Sequence, residues 1–284
     1  MKFIEDSKIL IVGLGLIGGS YAAKLSQEGF DVSAITRSQA SIDYALKNGI
    51  ISQGMTETDE NLIASADLII FGLPPVAFLE WVKKYGKLIK PGTLVTDVTG
   101  VKSSIVREVQ AALPHGVEFI AAHPMAGREV GGVQNADPNL FKNANYIVTP
   151  SENNSKESIY TCIQLGEVLG FGNIAVLNPQ EHDEMIAYLS QLTHCIAVCL
   201  MNANDNPNLA EFTGDSFRDL TRIAKINDKM WTELFLMNKE ALLSCIDSFA
   251  EELQDFRKLI AEGDADALRE KMQKSTERRQ NFEK

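Results

Sequence analysis

Cysteine is scarce: the chain has four in 284 residues, and Cys162, Cys195, Cys199 and Cys245 make no CxxC pair. A disulfide scaffold or a thiolate zinc centre is therefore not expected. Cys195 and Cys199 stand four apart in a helix-like stretch, a spacing that would admit a metal pair. Buried free thiols are the simpler reading, so no metal is expected. Free thiols point in turn to a reducing, cytoplasmic setting. Positive charge is also in deficit, with 27 Lys and Arg against 38 Asp and Glu and a net charge of −11. That balance argues against a nucleic-acid partner, which needs Lys and Arg clustered against phosphate. An anionic substrate would have to be captured by local cations against the overall field. No run reads as long and apolar enough to span a bilayer, and Met1–Lys8 is charged. Neither a membrane partner nor a signal peptide is expected. Internal repeats and low-complexity tracts are missing as well.

What the sequence does contain changes character near residue 180. Up to Pro179, short apolar runs alternate with amphipathic stretches: Lys8–Val12, Val32–Ile35, Leu68–Gly72, Leu94–Val98, Phe119–Ala122, Tyr146–Val148 and Ile174–Leu177. Near-continuous apolar runs are what strands covered on both faces require, and strand–helix alternation predicts an α/β fold with a parallel doubly wound sheet. From Glu181 onward helical periodicity takes over. Phe235, Leu242, Ile246, Phe249, Leu253, Phe256 and Ile260 follow a three-four spacing that predicts one long helix ending near Gly263. Its apolar seam either packs within its own domain or joins two copies of the chain. Residues 1–178 are thus expected as one domain and 179–284 as a second, all-helical one.

Gly13-Leu14-Gly15-Leu16-Ile17-Gly18 directly follows the first apolar run and opens an amphipathic helix. In that context GxGxxG is the dinucleotide-binding turn of a Rossmann-type sheet. Gly13 allows the tight turn, Gly15 lets the backbone approach a pyrophosphate, and Gly18 lets helix and strand pack closely; Leu16 and Ile17 open the helix whose N–H groups face the phosphates. A plain glycine-rich turn, or a flavin or S-adenosylmethionine site, are the alternatives. The second strand selects the cofactor. An NAD site places an acid near its end, about 20 residues beyond the motif, but here the residues are Thr36-Arg37-Ser38. Arg37 offers a planar fork, and Thr36 and Ser38 offer hydroxyls, to a 2′-phosphate. NADP is therefore the expected cofactor, with NAD as the alternative if Arg37 is simply solvated.

Ligands of such sheets bind beyond the carboxyl ends of the strands. Leu68–Gly72 leads to Leu73-Pro74-Pro75, a rigid break flanking the cofactor. Leu94–Val98 leads to Thr99-Gly100-Val101-Lys102, with Ser103-Ser104 expected to cap the next helix. Phe119–Ala122 leads to His123-Pro124-Met125-Ala126-Gly127. A histidine held there, with an unperturbed pKa near ~6.5, suits proton transfer.

The HPMAG block beyond a GLGLIG turn resembles the prephenate/arogenate dehydrogenase family of tyrosine biosynthesis. Thr96-Asp97-Val98-Thr99-Gly100-Val101-Lys102 resembles its TDV-x-S-VK segment. Asn139-Leu140-Phe141 and Tyr146-Ile147-Val148-Thr149-Pro150 resemble its LF…Y-x-L-TP segment. Gly214-Asp215-Ser216-Phe217-Arg218-Asp219-Leu220-Thr221-Arg222 resembles its GF-[KR]-D-x-TR segment. The resemblance covers nearly the whole chain. It implies oxidative decarboxylation of prephenate, or of arogenate, with hydride passing to the nicotinamide. It assigns His123 as the base that takes the proton of the ring hydroxyl. Arg222 would grip a substrate carboxylate, and His194 would approach the substrate from the helical domain, three residues beyond Gln191 on the same helix face. Glu129 and Asp219 match family acids near the cleft, for orientation or gating; bland surface carboxylates are the other reading. A homodimer through the helical domain is implied. Some relatives carry a further regulatory module, for which no room is expected here.

Three departures stand out. The family commonly has a serine, supporting the histidine, where this chain has Gly100; Thr99 or a water is the candidate substitute. Gln191 replaces the first histidine of a His-Leu-Pro-His pattern, keeping hydrogen-bonding capacity. Arg128 stands where threonine is common, and a second arginine would favour a doubly charged anion. Two other classes compete. A hydroxyacid-dehydrogenase-type enzyme would use a lysine on the first helix of the second domain, but Glu181–Asn202 has none. A nonenzymatic NADP-binding regulator is suggested only by Gly100 and Gln191.

Overall fold

The computed structural model describes residues 7–128 and 130–282. These form two compact units, one running to Asn238 and the other starting at Lys239. Residue 178 lies within the first.

The first unit is built on β1 (Lys8–Val12), β2 (Asp31–Ile35), β3 (Gln53–Met55), β4 (Leu68–Phe71), β5 (Leu94–Asp97) and β6 (Glu118–Phe119). They form a six-stranded sheet in the order β3-β2-β1-β4-β5-β6, and every pairing is parallel. The strands are apolar on both sides because both sides are covered. Ile9 and Ile11 join one hydrophobic cluster, with Tyr21, Leu25 and Tyr146. Leu10 and Val12 join the other, with Phe71, Phe78 and Phe119. The order reverses direction between β1 and β4, which is where a doubly wound sheet opens its ligand crevice.

Two of the expected runs do not belong to this sheet. The chain leaves β6 after Phe119 and, one residue on, enters a separate three-stranded sheet of β7 (Ala121–Met125), β8 (Asn145–Thr149) and β9 (Asn173–Val176). There β7 and β8 are antiparallel, and β8 and β9 parallel. The run at Phe119–Ala122 is therefore a change of sheet, and His123 lies inside β7 rather than beyond a strand end. β3 has no apolar run to announce it.

The helical part begins with Pro179–Asn202, continuous over 24 residues. Its middle turns, Ala187–Leu192, are π-helical. This helix is, by length and composition, long and apolar enough to cross a bilayer, so the exclusion drawn from the sequence does not hold for it. Glu181, Asp183 and Glu184 at its start interrupt the apolar run in the linear sequence. The helix Asp228–Met237 ends the first unit. Asn238 interrupts the single long helix that the periodicity predicts, because its side chain is buried and donates to the Asp183 carbonyl and to Gln191. Phe235 thus belongs to a different helix from the rest of the seam.

The second unit is a pair of helices, Lys239–Glu262 and Ala265–Gln280. Gly263 turns the chain between them at φ +69, and Lys271 bridges back to Glu252 and Asp255. On the first helix Phe249, Leu253 and Ile260 are exposed. All four thiols are free, but only Cys162 is buried; Cys199 is exposed.

Candidate active site

The cofactor turn is shaped by what its glycines lack. Gly13 has φ +102, and a Cβ there would lie 2.7 Å from the Gly72 carbonyl oxygen. A Cβ on Gly18 would fall 2.0 Å from the Gly13 oxygen, so the helix can pack this close only with glycine. Gly15 is different: nothing lies within 4 Å of where its Cβ would be. It has extended backbone and begins the helix Leu16–Gln27, which has neither a side-chain cap nor an acid in its first turn. Uncapped N–H groups beside an open space fit a pyrophosphate. Gly72, at the end of β4, completes the turn, since its own Cβ would meet the Gly13 oxygen at 2.7 Å. In the sequence it is only the last residue of an apolar run. Leu73 borders Gly13, and Pro74 immediately precedes the helix Pro75–Tyr85. Past β2, Thr36 is half-buried, while Arg37 and Ser38 are exposed. Ser38 caps the helix Gln39–Lys47 by accepting from the Ser41 amide.

The second half of the site starts at β5, next to β4. Asp97 and Lys102 are both fully buried and pair at 2.7 Å. The pair grips the residue before the expected base: the Ala122 amide donates to Asp97 (3.1 Å), and Lys102 Nζ donates to the Ala122 carbonyl (2.7 Å). This clamp ties β7 to the end of β5 and fixes the backbone that carries His123. Burial lowers the Lys102 pKa, and Asp97 opposes the shift. Thr99 spends its hydroxyl here, donating to Asp97 and lying 3.0 Å from the Val101 carbonyl. It is therefore not the substitute for a supporting serine.

Gly100 does adjoin the histidine: its Cβ position is 3.8 Å from His123 Cε1 and 3.3 Å from Leu234 Cδ2. The partner of His123 comes from elsewhere. His123 Nδ1 and His182 Nε2 are 2.9 Å apart, and His182 Nδ1 lies 2.7 Å from Asp183 Oδ1. Asp183 also accepts from the Lys102 amide (2.9 Å) and the Ser103 amide (2.8 Å). It caps the helix Ser103–Ala112, which has no side-chain cap of its own; Ser103 and Ser104 do not serve that purpose. His182 and Asp183, in the first turns of the long helix, were not singled out in the sequence. An EHDE stretch there looks like any polar helix start.

Burial holds the His123 imidazole well below its usual pKa, helped by His182 and then Lys102. His182 is lowered in the same way, against the pull of Asp183. Burial raises the Asp183 carboxyl, but hydrogen bonds from His182 and Ser103 outweigh it and leave the group below its usual range. The result is a neutral, half-buried imidazole at the carboxyl end of β5. Phe71 of β4 pairs with Asp97, so this place neighbours the glycine turn across one strand.

The other expected residues are scattered. Gln191 is buried and bridges inward, donating to the Leu234 carbonyl and accepting from Asn238. It holds helices together and is not available to substrate. His194 is half-buried, lies tilted against Trp231 with 3.7 Å between ring centroids, and places Nδ1 2.8 Å from the Ser190 carbonyl. The turn Arg222–Ala224 packs on the helix that carries His194. Arg222 and Asp219 are exposed. Arg128 is exposed and pairs with Asp137 at 2.9 Å. Glu129 lies outside the described residues.

Comparison with known proteins agrees with this layout. Residues 21–171 match the prephenate dehydrogenase nucleotide-binding domain, and residues 178–274 match the prephenate dehydrogenase dimerization domain. A prephenate dehydrogenase of Lactococcus lactis subsp. cremoris is 33% identical over 97% of this chain and 77% of its own length. A crystal structure of prephenate dehydrogenase from A. aeolicus, in complex with hydroxyphenyl propionate and NAD+, superposes with TM-score 0.91 at 28% identity. It covers 99% of this chain and 100% of that one. Synechocystis arogenate dehydrogenase superposes with TM-score 0.83 at 27% identity, over 97% of this chain and 100% of that one. With a nucleotide-binding turn, a neutral histidine beside it and both domains matched, the chain belongs to the prephenate dehydrogenase family of oxidoreductases.

Proposed function

We propose that this chain oxidises prephenate to 4-hydroxyphenylpyruvate with loss of CO₂, using NADP in preference to NAD. The observation that carries this reading is the neutral imidazole of His123, held beside Gly100 at the carboxyl end of β5 and one strand from the glycine turn. A nicotinamide cofactor supplies the hydride acceptor. Gly15 and the amides of Leu16 and Ile17 would hold its pyrophosphate in the turn that Gly13 and Gly18 shape, and Thr36, Arg37 and Ser38 would hold the 2′-phosphate. His123 accepts the proton of the ring hydroxyl as the hydride departs. A base of this kind is worth about 10²–10⁴ in rate. Arg222, with His194 and Arg128 as further cations or donors, binds the carboxylates; Asp219 and Glu129 orient the cleft.

The domain boundary falls near residue 178, and the active form is a homodimer joined through the helical part. The exposed Phe249, Leu253 and Ile260 supply apolar surface for that purpose. The free thiols suit a cytoplasmic enzyme. Arogenate is the second reading, favoured by the similarity to an arogenate dehydrogenase. A spectrophotometric assay of prephenate and arogenate, each with NAD and NADP, is the test. Reduced cofactor should appear fastest with prephenate and NADP. Faster turnover of arogenate would replace the substrate assignment, and no turnover of either, with cofactor still bound, would leave only a nucleotide-binding protein.

A further inference from the structure

The chain of contacts behind His123 has a direction. Asp183 is a carboxylate that already accepts two backbone amides, from Lys102 and Ser103. A carboxylate only accepts, so the proton between Asp183 and His182 sits on His182 Nδ1. The groups facing His182 are Asp183, Lys102, Asp97 and His123. Its buried position and the nearby Lys102 ammonium keep it neutral. In a neutral imidazole with Nδ1 protonated, Nε2 is an acceptor. The partner of that Nε2, at 2.9 Å, is His123 Nδ1, which must then carry the hydrogen.

We infer that Asp183 and His182 are positioning residues that set the tautomer of His123, leaving its Nε2 as the unprotonated atom that receives the substrate proton. When His123 Nε2 takes that proton, the new positive charge is shared with a hydrogen-bond acceptor, His182 Nε2, that is polarised by a carboxylate. No side-chain hydroxyl at position 100 is needed. The inference rests on the proposed role of His123 as base, and it makes a prediction that distance alone would not. Alanine at 183 removes the acceptor that holds the proton on His182 Nδ1, so both rings are free to turn over and protonate His123 at Nε2. Glutamine at 182 can accept from His123 Nδ1–H with its carbonyl and donate to Asp183 with its amide. The change farther from the chemistry should therefore be the more damaging one.

The experiment combines ring ¹⁵N spectra of the full-length, histidine-labelled enzyme with steady-state kinetics. The wild-type spectrum should show His123 and His182 both protonated at Nδ1. Asp183→Ala and His182→Leu should each lower kcat by about 10²–10⁴ with the KM for NADP little changed, and His182→Gln should stay within about tenfold of the parent. Because Asp183 also caps a helix, thermal melts accompany its variant, and the Leu and Gln pair at 182 decides the matter if Asp183→Ala does not fold. A wild-type His123 protonated at Nε2, or a His182→Leu enzyme with parental kcat, would overturn the inference. Parental turnover in His123→Asn would instead overturn the base assignment, whatever the spectra show.

Discussion

Gly13, Gly15 and Gly18 act through the side chains they lack, whereas His123 acts through side chains brought to it from distant segments. The turn is written in six consecutive residues, and sterics at each glycine say what it is for. The site around His123 draws on Asp97, Thr99 and Lys102 at the end of β5, and on His182, 59 residues beyond His123, with its neighbour Asp183 in the first turns of a helix. A backbone-made site tolerates change nearly everywhere except at its glycines. A site made of buried side chains fails at whichever member is removed.

That contrast can be broken or sharpened in order of expected effect. Replacing His123 by Asn should lower kcat by about 10²–10⁴ while dinucleotide affinity, measured by fluorescence titration, stays near the parent value. Equal losses in both would mean that the two regions are not separable. Lys102→Ala leaves Asp97 buried without its partner and strips the Ala122 carbonyl of its donor. It should cost about 3–5 kcal/mol in denaturant unfolding. Arg37→Ala should weaken NADP use by about 1.5–3 kcal/mol, roughly ten- to a hundredfold in KM, with NAD unaffected. An equal effect on both cofactors would reject the 2′-phosphate assignment. Within the turn itself, Gly18→Ala collides with the Gly13 carbonyl and should destabilise the fold by about 1–3 kcal/mol. Gly15→Ala meets open space and should leave the melting temperature alone while weakening cofactor binding. The smallest effect is in pH. His123 and His182 are both held below the usual value, so the unfolded chain takes up protons first. Their contribution to stability is present above pH ~6.5 and is lost as pH falls from there toward the lowered folded values. The acid limb of kcat/KM should likewise lie below ~6.5; a limb at or above that value would contradict the burial of His123.

Much of the architecture was legible because its signals are local. Apolar runs covered on both faces gave β1, β2, β4 and β5, and the glycine spacing gave the turn. Other features leave no periodic trace. β3 is Gln53-Gly54-Met55 with no apolar run, and the move from β6 to β7 at Ile120 occurs inside one. Alternation cannot tell a parallel strand from an antiparallel one, so His123 read as a residue beyond the sheet. The break at Asn238 depends on a buried amide meeting Asp183 and Gln191, both far away in sequence. Gln191 fell into the wrong role because the π-helical turns change which residues share its face. His182 stayed hidden for a simpler reason: its importance lies wholly in what it touches.

The carboxylate of Asp183 closes the open end of a helix that begins 80 residues earlier. Were the chain cut near residue 178, the cofactor half would keep its sheet and its glycine turn, yet the helix Ser103–Ala112 would begin with dangling amides. Loss of a cap of this kind costs about 0.5–2 kcal/mol. A fragment so made would bind dinucleotide on a scaffold frayed beside the very strand that should present the base.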